Sequence, residues 1–160
     1  MRWIWIDKFV QFESKVSATA IKNVSLAEEH LHDLFPAFPI VPHSLIVEGM
    51  AQTAGILVGE ARGFAEKVIL AKIGKAVFHR LVRPGETMTF HARIEQLSEQ
   101  GASTAGTVTC GGDLVAEIEI MFSHIDQNMS GMKFPEHNFV FTEQFASLLS
   151  SYKDSLKIAI

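Results

Sequence analysis

Residues 34–63, LFPAFPIVPHSLIVEGMAQTAGILVGEARG, ask the chain for two incompatible backbones in succession. Pro36, Pro39 and Pro42 each remove a backbone donor and push the preceding residue out of helical space. The segment 25–43 that contains them is therefore expected as an ordered, extended loop. Ser44 is a good N-cap residue, the run that follows is free of proline, and Gly63 offers a stop. A helix over 44–63 carries Leu45, Ile46, Val47, Met50, Ala51, Ala54, Ile56, Leu57 and Val58 on nearly every side. A helix apolar all round belongs inside other structure. Something in the same chain must wrap it.

The remaining sequence supplies that wrapping as strands. Residues 3–12 and 16–24 are rich in aromatic and β-branched types, with Glu13-Ser14-Lys15 able to turn between them, so the chain opens on a hairpin. In 87-TMTFHARIEQ-96, Met88, Phe90, Ala92 and Ile94 alternate with polar residues. Ala116, Ile118, Ile120 and Phe122 alternate with Glu117 and Glu119 in the same way, which marks half-buried strands. Residues 68–78 add a further β-prone stretch, and Ser98–Gly101 and Gly111-Gly112-Asp113 are hairpin turns. The expected fold is α+β, about six antiparallel strands curved round one buried helix, because the inner sheet face and the helix then bury each other. That body spans 1–124. Residues 125–138 resemble a linker, and Phe145, Leu148, Leu149, Tyr152 and Leu156 recur at helical spacing, so 125–160 is expected as a linker and an amphipathic helix packed on the same domain.

Composition agrees with one domain. A chain of 160 residues can bury roughly two-thirds of its unfolded surface. At 48% hydrophobic and 20% charged, with twelve Phe, it has the material for a filled core or an apolar ligand tunnel and is not a disordered chain. Cys110 is the single cysteine and makes no internal disulfide, and the first residues lack the apolar run of a signal peptide, so a soluble cytoplasmic protein is expected. No stretch reaches the eighteen or so uninterrupted apolar residues of a membrane span. The net charge of −4 argues against nucleic acid as partner, and no metal-ligand spacing, P-loop or dinucleotide fingerprint implies a metal or cofactor.

Within 34–52 the one carboxylate is Glu48, a turn inside the greasy helix. A charged group enclosed without a partner is unfavourable. Enclosure also disfavours the charged form of a carboxyl group, which suits an acid that hands a proton to a leaving hydroxyl. The bland reading is a side chain that escapes to solvent at the helix entrance. Gln52, one turn on, is its expected hydrogen-bonding neighbour.

The segment 34-LFPAFPIVPHSLIVEGMAQ-52 resembles the active-site motif of FabZ-type 3-hydroxyacyl-(acyl-carrier-protein) dehydratases, H-F-P-G-x-P-[IV]-x-P-G-V-L-[IV]-x-E-[AG]-[ML]-A-Q. The resemblance continues in 4-IWIDKFVQFE-13, 20-AIKNVS-25 and 83-RPGE-86, and covers about residues 4–124. It implies the hotdog fold, a sheet wrapped round a long helix, and a dimer or higher oligomer. It also implies an acyl thioester as substrate, carried by acyl carrier protein or coenzyme A. In that family a histidine removes the α-proton, and a glutamate fourteen residues later, from the other protomer, helps the β-hydroxyl leave as water. Here Glu48 takes the glutamate position, and Leu34, fourteen residues earlier, takes the histidine position. Leucine accepts no proton. Ala37 and His43 stand where the motif has glycines, and the backbone N–H of His43 is in place to polarise the thioester carbonyl at the helix N-terminus.

The resemblance places Leu34, Phe35, Pro36, Pro42 and Gln52 along the substrate. Of His30, His32 and His43, the last is the candidate base, because the turn that positions Glu48 also positions it. A capping or gating role is the competing reading for His43, and solvated loop residues for His30 and His32. Lys72, Lys75, His79, Arg80 and Arg83 lie in a stretch with no acid. Lys72, Lys75, Arg80 and Arg83 are thus candidate contacts to an acidic carrier protein and its phosphopantetheine phosphate, with a solvated strand face as the alternative. Three functional readings follow. One is a dehydratase with Glu48 as acid and a relocated base. Another is a non-catalytic subunit or thioester-binding protein that completes its site with a histidine-bearing homologue. The third is a hotdog thioesterase.

Overall fold

A computed structural model describes residues 4–125, 140–141 and 143–158. The opening hairpin is β1 (Lys8–Glu13) and β2 (Ser17–Asn23), turning through Lys15 at a positive φ of 65°. A short helix α1 (Glu29–Asp33) and the proline loop lead into α2 (His43–Ala61). Four strands follow, β3 (Lys67–Phe78), β4 (Thr87–Leu97), β5 (Gly101–Cys110) and β6 (Asp113–Ile125), and α3 (Glu143–Ile158) ends the described chain. The strands form one antiparallel sheet in the order β1-β2-β4-β5-β6-β3, with α2 lying across its inner face. This is the sheet wrapped round a helix expected of the alternation patterns, and the hotdog arrangement that the resemblance implies.

The period-two readings hold residue by residue. Met88, Phe90 and Ala92 of β4 and Ala116, Ile118, Ile120 and Phe122 of β6 are all buried, with Ile94 half-buried at the fraying end of its row. They close on Ile46, Met50, Ile56, Leu57 and Val58 of α2 in a single core. Gly49 is what lets the helix sit so close: a Cβ there would overlap the ring of Phe90. Burying a side chain the size of Phe90 contributes about 1.5–3 kcal/mol.

Three boundaries differ from the sequence reading. The segment 25–43 is not extended throughout, because its prolines begin only at Pro36 and leave 29–33 free to coil. There α1 forms and buries Leu31. Ser44 is not the N-cap. Pro42 is, with φ −57° and no side-chain cap, and its carbonyl accepts from the N–H of Leu45 at 3.0 Å. Proline's fixed φ pre-forms the entry, while its extended ψ keeps it outside the helix. The first strand begins at Lys8, because the N–H groups of Trp5 and Ile6 turn aside to Gln52.

Gly63 does stop the helix. It takes φ 64°, its N–H bonds the Glu60 carbonyl and that of Phe64 bonds the Gly59 carbonyl, the paired bonds of a Schellman motif. The expected linker falls, beyond Ile125, outside the described residues, as do Trp3 and the side chain of Leu156. On α3, Leu149 is buried while Phe145, Leu148 and Tyr152 are half-buried against the core. Tyr152 accepts a hydrogen bond from the Phe12 N–H at 3.2 Å, which seats the helix on β1. No described helix is long and apolar enough to cross a membrane.

Candidate active site

The helix delivers Glu48 to the wall of a pocket of about 190 Å³ between α2 and the sheet edge. Glu48, Ala51, Gln52, Gly55 and Ile56 line its helix side, and Val68 and Leu70 of β3 with Phe122 of β6 line its sheet side. Val140, Phe141 and Phe145 complete it. Apart from Glu48 and Gln52, every one of these side chains is apolar or absent.

Glu48 is half-buried rather than enclosed, and it is not left without a partner. Its Oε1 accepts from Nε2 of Gln52 at 2.7 Å, the i,i+4 bond expected from the sequence. Gln52 is 7% exposed, and its own Oε1 accepts from the backbone N–H of Trp5 at 2.8 Å and of Ile6 at 3.3 Å. A side-chain amide has one acceptor and one donor end. With the acceptor end held by two backbone donors, only the donor end can face Glu48. The carboxyl group is thereby anchored through one oxygen.

The loop that precedes the helix does not reach this pocket within one chain. Leu34, Phe35, Pro36, Pro42 and His43 are absent from its lining, and Leu34, Phe35 and Phe38 are 55%, 46% and 47% exposed. The loop is nonetheless ordered by its own bonds, Leu34 N–H to His30 O, Phe38 N–H to Phe35 O and Val41 N–H to Val82 O. His43 is exposed at the first residue of α2 and stacks face to face on Phe78, ring centroids 4.0 Å apart and planes 3° from parallel. The N–H groups of His43 and Ser44 lie ahead of the helix's own hydrogen-bond ladder, where they are available to an oxyanion.

A family model for the FabA-like domain matches residues 4–119, nearly three quarters of the sequence. The chain belongs to the FabA-like family. Among curated relatives, the 3-hydroxyacyl-(acyl-carrier-protein) dehydratase FabZ of Rickettsia rickettsii (strain Sheila Smith) is 38% identical over 117 residues, covering 72% of this chain and 81% of that protein. The FabZ of Rickettsia bellii matches with the same identity and coverage. Solved structures share the fold at low identity. A conserved protein of Pseudomonas aeruginosa aligns with TM-score 0.62 at 18% identity over 74% of this chain and 87% of its own. A dehydratase heterocomplex from Xenorhabdus doucetiae aligns with TM-score 0.62 at 15%, over 76% and 83%.

The remaining sequence candidates of this FabA-like chain are scattered. His32 is exposed, whereas His30 is half-buried edge-on to Trp5, with Nε2 3.5 Å from a Glu28 oxygen. The basic stretch 72–83 contains no acid, but the fold brings acids to it, Glu86 from the turn that follows and Glu117 from β6. Arg80 pairs with Glu86 at 2.8 Å and donates to the carbonyls of Leu81 and Cys110, and Lys75 pairs with Glu117 at 2.9 Å. Lys72 is exposed, and Arg83 lies 4.8 Å over the ring of Phe38. Burial pushes the Cys110 thiol up from its ordinary range, which disfavours the thiolate. Among the described residues no three His, Cys, Asp or Glu side chains gather as metal ligands. Sequence reasoning passed over Trp5 and Ile6, whose role is played by backbone N–H groups that leave no mark on residue type. Of the three pocket residues of the C-terminal segment it named Phe145 alone, as an apolar position of the tail helix.

Proposed function

We propose that this chain acts on 3-hydroxyacyl thioesters as a dehydratase-type hydro-lyase, with Glu48 as the acid. The observation that carries the reading is the anchored carboxyl group of Glu48 at the wall of an otherwise apolar pocket. In the elimination a base takes the proton from the carbon next to the thioester carbonyl, the electron pair forms the carbon–carbon double bond, and the β-hydroxyl leaves as water with the proton from Glu48. The N–H groups at the start of α2 of a second protomer stabilise the negative charge that builds on the thioester oxygen. The apolar wall holds the acyl chain.

Leu34 cannot serve as the base. His43 is the imidazole carried by the site's own helix, and it reaches a pocket only from a second protomer. β3 offers the surface for that protomer, being an edge strand with Leu70, Ile73 and Val77 exposed. Lys72 and Arg83 are the basic residues of the 72–83 stretch best placed to meet an acyl carrier protein. A second reading is favoured by the loop's failure to reach the pocket within one chain: a partner subunit that supplies a histidine of its own.

The experiment is hydration of crotonyl and dehydration of 3-hydroxybutyryl thioesters by the purified chain, followed through enoyl absorbance. Under the first reading the chain is active, Glu48→Gln loses at least about a hundredfold, and His43→Ala loses a comparable factor. An inactive native chain whose Leu34→His variant gains turnover assigns it to the partner-subunit reading. Release of free thiol without enoyl product moves the assignment to hydrolysis.

A further inference from the structure

The family match ends at residue 119, yet the pocket beside Glu48 is finished by residues beyond it. Val140, Phe141 and Phe145 line the same pocket as Glu48, Gly55 and Phe122. Phe141 is placed with unusual closeness. A Cβ at Gly59 would overlap its ring, so the bare helix backbone at Gly59 is the seat that admits it. On its other side Phe64 meets it edge to face, ring centroids 5.0 Å apart. Phe145 stands on the first turns of α3, and that helix is pinned by the bond from Phe12 to Tyr152, the buried Leu149 and the ion pair of Lys153 with Glu60 at 3.8 Å. Phe145 on that helix and Phe141 in its seat at Gly59 close one side of the pocket. A wall of side chains from a segment outside the shared domain is positioned to decide what the shared site accepts.

We propose that Phe141 and Phe145 set the length of acyl chain accepted beside Glu48, restricting it to short chains. The inference rests on the acyl-thioester reading above and adds the substrate class. Size supports it. An apolar cavity of about 150 Å³ takes up benzene, so a pocket of about 190 Å³ holds a chain on the order of six carbons. Each methylene that finds room contributes about a fourfold gain in affinity, and the gain stops at the carbon that meets the wall.

The test is a binding titration of the full chain with non-hydrolysable acyl-pantetheine analogues from butyryl through hexanoyl and octanoyl to dodecanoyl, which needs no turnover. The expected profile rises about fourfold per methylene to near hexanoyl and is flat or falling by octanoyl. Phe141→Ala and Phe145→Ala move the break to longer chains. Gly55→Ala moves it the other way, since its methyl group enters the pocket 3.4 Å from the Phe122 ring. Because it introduces no overlap, it also keeps the test valid if an alanine variant of the phenylalanines fails to fold. An unchanged break in the variants that fold, or a native profile still climbing at dodecanoyl, overturns the proposal. Binding of no analogue by the native chain overturns the acyl-thioester reading itself and the inference with it.

Discussion

Gln52 is joined at both ends, to Glu48 through its amide nitrogen and to the N–H groups of Trp5 and Ile6 through its oxygen. Replacing it by leucine keeps the bulk and strands two buried backbone donors. Gln52→Leu is therefore expected to lower stability by about 1–3 kcal/mol, read as a shift of the urea midpoint with an unchanged slope. The bond between Gln52 and Glu48 was legible in the sequence, because helical periodicity puts positions four apart on one face. Glu48 itself stood out as a lone carboxylate in an apolar run, and Leu34 only through the resemblance, whose histidine position lies fourteen residues earlier. What holds Gln52 from the other side was not legible. A backbone N–H is common to almost every residue, so only the folded path of the chain shows which two donate to Gln52.

Among the elements, α2 shows two uses of glycine. Gly49 meets the ring of Phe90, and a Cβ there would overlap it, whereas at Gly55 the nearest atom lies 3.4 Å away. Gly49→Ala is expected to destabilise by about 1–3 kcal/mol through overpacking. Gly55→Ala relieves the unfavourable helix propensity of glycine and is expected to stabilise by about 0.5–1 kcal/mol. Thermal unfolding of the two variants side by side checks the opposite signs. The existence and type of α2 and of the strands were legible because burial imposes a period on residue type. Their ends were less so. Ser44 has the right chemistry for a cap, but Pro42 already fixes the entry, and α1 depends on the burial of a single leucine, too little to print a period.

For the whole molecule, the crossing from the edge strand β3 to the central strand β4 is fastened by Arg80 and Glu86. The hydrogen bond from Arg80, helped by the Arg83 N–H and the charges of both arginines, holds the Glu86 carboxyl below its ordinary range. A carboxyl group whose folded value is depressed contributes stability above its unfolded value, near pH 4, and loses it as pH falls through the lower folded value. Native protein and Glu86→Gln should therefore differ most in urea midpoint at neutral pH and converge in strong acid. Neither pair was legible: Lys75 meets Glu117 only because β3 and β6 end up adjacent, and Arg80 meets Glu86 only through the path of the turn between β3 and β4. The sheet order was not legible, because alternation says which face a residue takes and not which strand lies beside it. The same long reach governs the acid. The bond from Trp5 to Gln52 spans 47 residues of sequence, so Glu48 is oriented only when the start of the chain has docked beneath the helix. The exchange of two amide protons with solvent, those of Trp5 and Ile6, thus reports on the readiness of the site in the absence of any substrate.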